Sequence, residues 1–423
     1  MDRMCILLQN MNVFGTFREA VADTGYEMQG VSKELYEKCK AECLTLPRAW
    51  GIINSCGERR QSGSGKGERM GITTKSFGKT AKGEEAKLYI LENKNGMKAV
   101  FSDFGAVLVQ LWVPDKNGKL DDVVLGFDTL AEYEVNPTFF GSFIGRCGNR
   151  IGGAKFTING KEYQVEDNDN GNCLHGGSVS YDKYMYEAET FVEEGGVSVE
   201  FSRLSPDMEQ GFPGNLDITV TYTLTDENEL AIEYLAVSDK DTIVNLTNHS
   251  YFNLAGHNSG SVTAQEVAID ADAFTATDGK LIPTGELTDV TGTPMDFRIR
   301  KPLADGINDT DCEAIRLGGG YDHNYVLNNT GEEAEYVAEL YDKKSGRVME
   351  VYTDLPGMQL YSGNFIKDGL KGKGGCTYGK RHGVCFETQY FPNAMNIAGF
   401  KSPVVKAYTE AESMTVYKFT IEK

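Results

Sequence analysis

The sequence predicts an all-β protein, a large antiparallel β-sandwich with few short helices. From Lys87 onward, apolar residues recur at every second position, and turn signals separate these stretches at short intervals. The 48 glycines and 11 prolines suit many tight turns better than long helices. After residue 70, no run of about 12 residues shows a helical stripe of apolar side chains. Short strands with frequent turns are typical of antiparallel sandwiches and barrels.

Three stretches carry the alternation and the turns most clearly. Residues 155–165 predict a hairpin, because Asn159 and Gly160 tolerate positive φ at both central turn positions. Residues 216–234 hold two alternating strands with an acidic turn between them, and residues 338–351 predict a further hairpin. The order of the strands in their sheets does not follow from these patterns.

The first 69 residues differ in composition from the rest, so we divide the chain into an extension, 1–69, and a β-sandwich domain, 70–423. The extension has a net charge of +1 and four of the nine cysteines, whereas the domain has a net charge of −21. Residues 32–43 could form an amphipathic helix, and residues 57–67 have the composition of a linker.

Two hypotheses account for the extension. Residues 66–69 can be encoded by purines alone, as in a bacterial ribosome-binding site just before a start codon, so Met70 could be the native start. The extension would then be translated upstream sequence. Alternatively, it is a genuine, weakly ordered part of the protein.

Charge and composition exclude several classes of partner. A net charge of −20 without a basic stripe argues against nucleic acid and anionic membranes. No apolar run approaches the about 18 residues of a membrane-spanning helix, and the N-terminus lacks a signal peptide core. Nine scattered cysteines without a CxxC pair indicate reduced thiols in a cytoplasmic protein, with no structural zinc site.

Candidate chemistry gathers around the five histidines. His175 precedes two glycines, His249 lies among amides and aromatics, and His323 follows Asp322 after a run of glycines. With Glu387 and Arg150, these residues fit three chemistries: acid–base catalysis on a polyol, a metal site of two histidines and a carboxylate, or a non-catalytic sugar-binding groove. For any single histidine, a purely structural role is the alternative.

Eight motifs in order resemble the aldose 1-epimerase (galactose mutarotase) family over residues 70–423. The motifs are Gly148-Asn149-Arg150-Ile151, Leu174-His175-Gly176-Gly177, Asn248-His249-Ser250-Tyr251-Phe252-Asn253-Leu254, Ile282-Pro283-Thr284-Gly285-Glu286, Asp296-Phe297-Arg298, Gly320-Tyr321-Asp322-His323-Asn324, Gln359-Leu360-Tyr361-Ser362-Gly363-Asn364 and Glu387-Thr388-Gln389. Each motif is weak by itself, but the ordered set is specific. The resemblance implies a sandwich of large antiparallel sheets with the site in an open groove.

The resemblance also implies an activity, the interconversion of the α and β anomers of free aldohexoses such as galactose and glucose, without a cofactor or metal. It implies that Glu387 is the general base at the C1 hydroxyl and that His249 is the general acid at the ring oxygen. His175 matches a second imidazole near C1 and O5. The remaining matched positions, which would contact sugar hydroxyls, are Asn149, Arg150 and Asp322, and Gln359 is a further candidate ligand contact.

Departures from the family pattern and two alternative functions stay open at this stage. Ser180, Met185 and Asn393 stand where many members have other residues, which bears on local packing and sugar preference. One alternative is a hexose-6-phosphate mutarotase of the same fold, and the other is a sugar-binding module without turnover. The choice between monomer and homodimer, and the preferred sugar, do not follow from the sequence.

Overall fold

The structure is a computed structural model that describes residues 71–423. The hypotheses about residues 1–69, the helix at 32–43 and a start at Met70 therefore concern residues outside the described part.

The described chain is built mainly from short and medium-length strands. In chain order they are β1 (Gly71–Lys79), β2 (Glu85–Glu92), β3 (Lys98–Ser102), β4 (Val107–Pro114), β5 (Leu120–Asp122), β6 (Ser142–Ile144), β7 (Arg150–Ile151), β8 (Lys155–Ile158), β9 (Lys161–Gln164), β10 (Cys173–Leu174), β11 (Glu187–Glu193), β12 (Gly196–Ser205), β13 (Leu216–Thr225), β14 (Glu229–Ser238), β15 (Thr242–Ile243), β16 (Thr247–His249), β17 (Glu266–Ile269), β18 (Ala271–Thr277), β19 (Pro283–Asp289), β20 (Lys301–Pro302), β21 (Asp322–Leu327), β22 (Glu335–Asp342), β23 (Arg347–Thr353), β24 (Gly357–Tyr361), β25 (Leu370–Lys371), β26 (Thr377–Tyr378), β27 (Cys385–Gln389), β28 (Val404–Val405) and β29 (Glu410–Ile421).

Helical structure is sparse within residues 71–423. Two short α-helices occur, α1 (Leu130–Val135) and α2 (Glu313–Gly318). A capping box between Thr129 and Glu132 starts α1, and Gly319 at φ 63° ends α2. The 3₁₀ turns are Gly152–Ala154, Tyr181–Lys183, Glu209–Gly211, Leu303–Asp305, Lys373–Gly375 and Ala394–Asn396.

Three antiparallel sheets organise the domain. The largest has nine strands in the order β11-β12-β13-β14-β29-β23-β22-β17-β20. A five-stranded sheet has the order β1-β2-β3-β4-β5, and another has the order β19-β18-β21-β24-β27. The remaining described pairs are two-stranded; among them β16 pairs with β6 and β10 pairs with β7.

The core forms where apolar faces of the sheets meet. Residues of β13 alternate between buried and half-buried along the whole strand, as the sequence pattern predicts. Phe101 of β3 stacks on Tyr222 of β13, with ring centroids 4.3 Å apart, and the Tyr222 hydroxyl donates to the carbonyl of Ala106. The predicted all-β sandwich class is confirmed.

The predicted hairpins are also confirmed. Asn159 and Gly160 join β8 to β9 with φ values of 52° and 78°, as expected for a turn that needs two positive φ angles. The turn before Arg347 joins β22 to β23, and the acidic turn after Thr225 joins β13 to β14.

Within residues 71–423, no helix has the length and apolar character needed to cross a membrane. The five cysteines of this part are all free thiols.

Candidate active site

Three neighbouring strands present a polar face. Gln359 of β24 lies directly opposite Glu387 of β27, and Asp322 begins β21 on the other side of β24. Because side chains alternate along a strand, Asp322, Gln359 and Glu387 all project from the same face of the sheet. All three side chains are buried.

Glu387 and His249 form the centre of this face. His249 ends β16, and its Nε2 lies 3.6 Å from Oε1 of Glu387. The other carboxylate oxygen of Glu387 is buried without a hydrogen-bond partner. Burial raises the pKa of Glu387 well above its usual value, with Asp322 adding to this rise and Arg150 opposing it. Burial lowers the pKa of His249 to about 4.

Aromatic rings and a thiol hold His249 in place. Its imidazole stacks on Tyr251, with centroids 4.9 Å apart, and meets the ring of Tyr361 edge-on at 6.0 Å. Nδ1 lies 3.5 Å from Sγ of Cys385, which is on the same face of β27 as Glu387. With Nδ1 turned to the thiol, Nε2 is the atom that faces Glu387.

One backbone hydrogen bond fixes the tautomer of His175. The N–H of Asn149 donates to Nδ1 of His175 at 3.2 Å, and the N–H of His175 donates to the carbonyl of Asn149 at 3.0 Å. Nδ1 therefore acts as an acceptor, and a neutral His175 carries its proton on Nε2. Burial lowers the pKa of His175 well below its usual value, and His249 and Arg150 lower it further.

An ion pair orients Arg150. Its Nε donates to Asp169 at 2.9 Å, so the rest of the guanidinium stays available to the site. Both side chains are largely shielded from solvent, with 13% of Arg150 and 21% of Asp169 exposed. Arg150 opposes the rise in pKa of both Glu387 and Asp322, so its positive charge acts on both carboxyl groups.

Asp322 is held by a chain of amides. Nε2 of Gln359 donates to Oδ1 of Asp322 at 2.7 Å, and Nε2 of Gln389 approaches Oε1 of Gln359 at 3.4 Å. Gln389 also donates to Asn324. Burial raises the pKa of Asp322, while Arg150 and Gln359 oppose this rise.

The two histidines and Glu387 have the composition of a metal site, since their nearest ligand atoms all lie within 4.8 Å of one another. A ligating histidine normally donates its other ring N–H to an acceptor. Nδ1 of His175 instead faces the N–H donor of Asn149. Coordination through Nε2 of His175 would place two N–H groups against each other, so the group fits a hydrogen-bonding site better than a metal site.

The seven residues singled out from the sequence all lie at this site. They are Asn149, Arg150, His175, His249, Asp322, Gln359 and Glu387. Two of the three remaining histidines lie elsewhere: His323 is on the opposite face of β21 from Asp322, against Phe274, and His257 hydrogen-bonds the hydroxyl of Tyr378.

Several neighbours of the site were not singled out from the sequence. Tyr361 and Cys385 share the polar face with Gln359 and Glu387, and strand alternation in their motifs was the signal that could have identified them. Asp169 lies in a separate loop, and no local pattern links it to Arg150.

The three departures from the family pattern have local structural explanations. Asn393 adopts φ 58°, which asparagine tolerates well, and its side chain accepts from the N–H of Gly152 at 2.9 Å. Ser180 hydrogen-bonds Asp182, and Met185 packs against the core.

Known proteins with similar sequences extend over most of the described part. A family model described as aldose 1-epimerase matches residues 87–418. Galactose mutarotase of Bos taurus is 43% identical over 318 residues, which are 75% of this chain and 90% of that protein. Galactose mutarotase of Sus scrofa is 40% identical over 352 residues, 83% of this chain and 99% of that protein. Aldose 1-epimerase of Escherichia coli K12 is 34% identical over 343 residues, 80% and 97% of the two chains.

Two crystal structures are also similar to this chain in fold and sequence. A crystal structure of an aldose epimerase homologue from C. elegans is 32% identical, with a TM-score of 0.72, and covers 80% of this chain and 100% of that one. The crystal structure of galactose 1-epimerase from Lactobacillus acidophilus NCFM is 26% identical, with a TM-score of 0.74, and covers 84% and 100% of the two chains. The family match spans more than half of the chain, and the chain therefore belongs to the aldose 1-epimerase family.

Proposed function

We propose that this aldose 1-epimerase opens and recloses the ring of free aldohexoses such as galactose and glucose, with Glu387 as general base and His249 as general acid. The observation that carries the proposal is the buried pair itself, with His249 Nε2 at 3.6 Å from Glu387 Oε1. Ring opening needs a base at the C1 hydroxyl and an acid at the adjacent ring oxygen, and these two groups are adjacent in the site.

Each proton and electron pair has a defined path in this reaction. Glu387 removes the proton from the C1 hydroxyl, the C1–O5 bond breaks, and the C1 carbonyl forms. His249 gives its proton to O5, which becomes a hydroxyl. Rotation about C1–C2 turns the other face of the aldehyde to O5, and ring closure returns both protons to their sources.

The burial of the pair favours ring opening. The productive sugar complex begins with Glu387 as carboxylate and His249 as imidazolium, so the pair holds one proton. After opening, Glu387 is a neutral acid and His249 is a neutral imidazole, so the pair still holds one proton. Burial raises the pKa of Glu387 and lowers that of His249, so it favours the distribution that follows ring opening.

The other site residues bind and orient the sugar in this proposal. His175 donates from Nε2, because its Nδ1 accepts from Asn149. Asp322, held by Gln359, accepts from a sugar hydroxyl, and Arg150 donates to one. Fixing the sugar against both catalytic groups replaces slow solvent catalysis with a positioned acid and base.

The charges around the site support a neutral sugar rather than a phosphorylated one. Glu387 and Asp322 place two carboxyl groups beside the sugar, and the positive charge of Arg150 is partly balanced by its ion pair with Asp169. The acidic composition supports an enzyme that binds neither nucleic acid nor anionic membranes, and the scattered cysteines without a CxxC pair support a cytoplasmic location.

Polarimetry of freshly dissolved α-D-galactose and α-D-glucose tests the function. We expect the protein to accelerate the approach to the same final rotation, equally in buffer and in EDTA, since the tautomer of His175 is unsuited to metal binding. Loss of activity in EDTA that added metal restores would contradict the metal-free mechanism. Acceleration with galactose 6-phosphate alone would contradict the free sugar as substrate.

A further inference from the structure

Phe139 lies over both imidazoles of the site. It belongs to the loop between α1 and β6, and its ring centroid is 4.9 Å from that of His175 and 6.0 Å from that of His249. The side chain is only partly buried, whereas His175 and His249 are almost fully buried. The Phe139 ring therefore separates both imidazoles from solvent on this side.

Two aromatic rings lie nearly parallel to the His249 ring. Tyr251 stacks on it at an interplanar angle of 23°, and Phe139 stacks on it at 24°. Tyr251 is 3% exposed, whereas Phe139 is only partly buried. Phe139 is therefore the more exposed of the two stacked rings, and its removal would give water closer access to His249.

The backbone of Phe139 is held in a conformation that bulky residues rarely adopt, with φ 56°. Its N–H donates to the carbonyl of Asn136 at 3.2 Å, and its carbonyl accepts from the N–H of Ser142 at 3.1 Å. The side chain of Asn136 accepts from the N–H of Phe140 and donates to Ser142 Oγ. These bonds on both sides maintain the strained conformation, as is common at functional sites.

We infer that Phe139 is a positioning residue, which fixes the imidazole planes of His249 and His175 and keeps water away from them. The inference rests on the proposed role of His249 as general acid. In this inference the reaction needs the aromatic ring of Phe139, and the backbone conformation of its loop is not sufficient.

The groups that surround His249 make its titration a direct readout of this role. The groups next to it are Glu387, His175, Tyr251, Tyr361 and Cys385, and Asp322 and Arg150 act on the neighbouring Glu387. Burial raises the pKa of Tyr251 and that of Cys385 well above their usual values, so both stay neutral near pH 7.

Water admitted by removing the Phe139 ring stabilises the charged forms of the catalytic pair. The pKa of His249 then rises from about 4 toward 6.5, and that of Glu387 falls. The pH profile of kcat/KM becomes narrower, because its acidic limb shifts to higher pH and its basic limb shifts to lower pH. A residue with only a structural role would lower the profile without moving its limbs.

The test compares Phe139→Ala, Phe139→Gly and Phe139→Tyr. We expect Ala and Gly to lower kcat about tenfold or more and to narrow the pH profile alike, while Tyr keeps both near wild type. Gly relieves the positive φ, so a Gly variant that restores what Ala loses would show that only the loop matters and would overturn the inference. Wild-type limbs and turnover in Phe139→Ala would also overturn it.

Phe365→Ala is the matched control. Phe365 is 59% exposed and stacks on Tyr361, but among the described residues it makes no ring contact with either imidazole. Phe365→Ala should leave both limbs of the pH profile of kcat/KM at their wild-type pH. If its profile narrowed as much as that of Phe139→Ala, the specific role of Phe139 would be contradicted.

NMR titration of the five histidine rings separates this inference from the proposed function. The His249 signal, identified by its loss in His249→Asn, should titrate at higher pH in Phe139→Ala than in wild type. This measurement needs no turnover, so it remains decisive even if Glu387 proves not to be the base. An unchanged His249 titration would overturn the inference.

Discussion

At the scale of single residues, burial favours the uncharged form of an ionisable group, and this effect acts on both members of the proposed catalytic pair. Glu387 and His249 are 2% and 4% exposed, and their pKa values shift in opposite directions. The same physics acts on His323, which is not part of the site. Its pKa is lowered to about 4 by burial, and its Nε2 has no partner.

His323 should make the protein less stable in mild acid. Its pKa is about 4 in the folded state and near 6.5 in the unfolded state, so the unfolded chain binds more protons between these values. Stability therefore falls as pH drops from 6.5 to 4. In His323→Asn, the amide oxygen can still accept from the N–H of Asp322, as Nδ1 does now, but cannot titrate. We expect melting temperature to fall less steeply with pH in this variant, and an unchanged slope would contradict the account.

Alternation along a strand decides which predicted residues reach the site. Asp322 and His323 are neighbours in the sequence but project from opposite faces of β21. Period-2 patterning could have placed Asp322 with Gln359 only if the pairing of β21 with β24 had been known. The residue identities were available from the sequence, but the pairing depends on long-range contacts.

At the scale of elements, the loop after β10 shows why a histidine is followed by two glycines. Gly176 has φ 82°, and a Cβ there would meet the carbonyl oxygen of Gly145 at 2.1 Å. The backbone of this loop can therefore pass close to its neighbour only without a side chain. Two consecutive glycines are a local signal for such a close approach, whereas the positive φ of His175 and Asn149 carried no local signal.

Gly176→Ala should move the loop that carries His175. The positive φ and the contact with Gly145 together destabilise the variant by about 1–3 kcal/mol, and displacement of His175 lowers kcat about 100-fold. Thermal melting and polarimetry measure the two effects.

Gly195→Ala provides the control for this prediction. Gly195 also has a positive φ, 93°, but a Cβ there meets nothing within 4 Å. Gly195→Ala should lose stability only because alanine disfavours this positive φ, and it should keep its activity. Wild-type kcat in Gly176→Ala would contradict the proposed importance of the loop.

At the scale of the whole molecule, the site combines residues from distant parts of the chain. The loops around β7 and β10, strand β16 and one five-stranded sheet each contribute, and they lie up to about 240 residues apart. Strands and hairpins were predictable because their signals are local. Sheet order and the convergence of the site were not, since they depend on non-local pairing, and the ordered family motifs supplied that information instead.

We propose that residues 70–423 form the catalytic domain, with residues 1–69 either translated upstream sequence before a start at Met70 or a genuine extension of the chain. The separate composition of residues 1–69 supports this division. A chain that starts at Met70 should melt at the same temperature and turn over sugar as fast as the full chain. Loss of activity on this truncation would contradict the domain boundary, and peptides from residues 1–69 in the protein from its natural source would contradict the start.

The most direct test of the account is polarimetry of Glu387→Gln, combined with calorimetry of sugar binding. The substituted amide would keep the shape of the Glu387 side chain but could not accept the C1 proton. We therefore expect turnover to fall about 1,000-fold while sugar affinity stays within a few-fold of wild type. Asp103→Asn, at a buried carboxyl group away from the site with a pKa raised to about 6, should keep wild-type turnover. Turnover in Glu387→Gln equal to that of wild type would contradict Glu387 as the base.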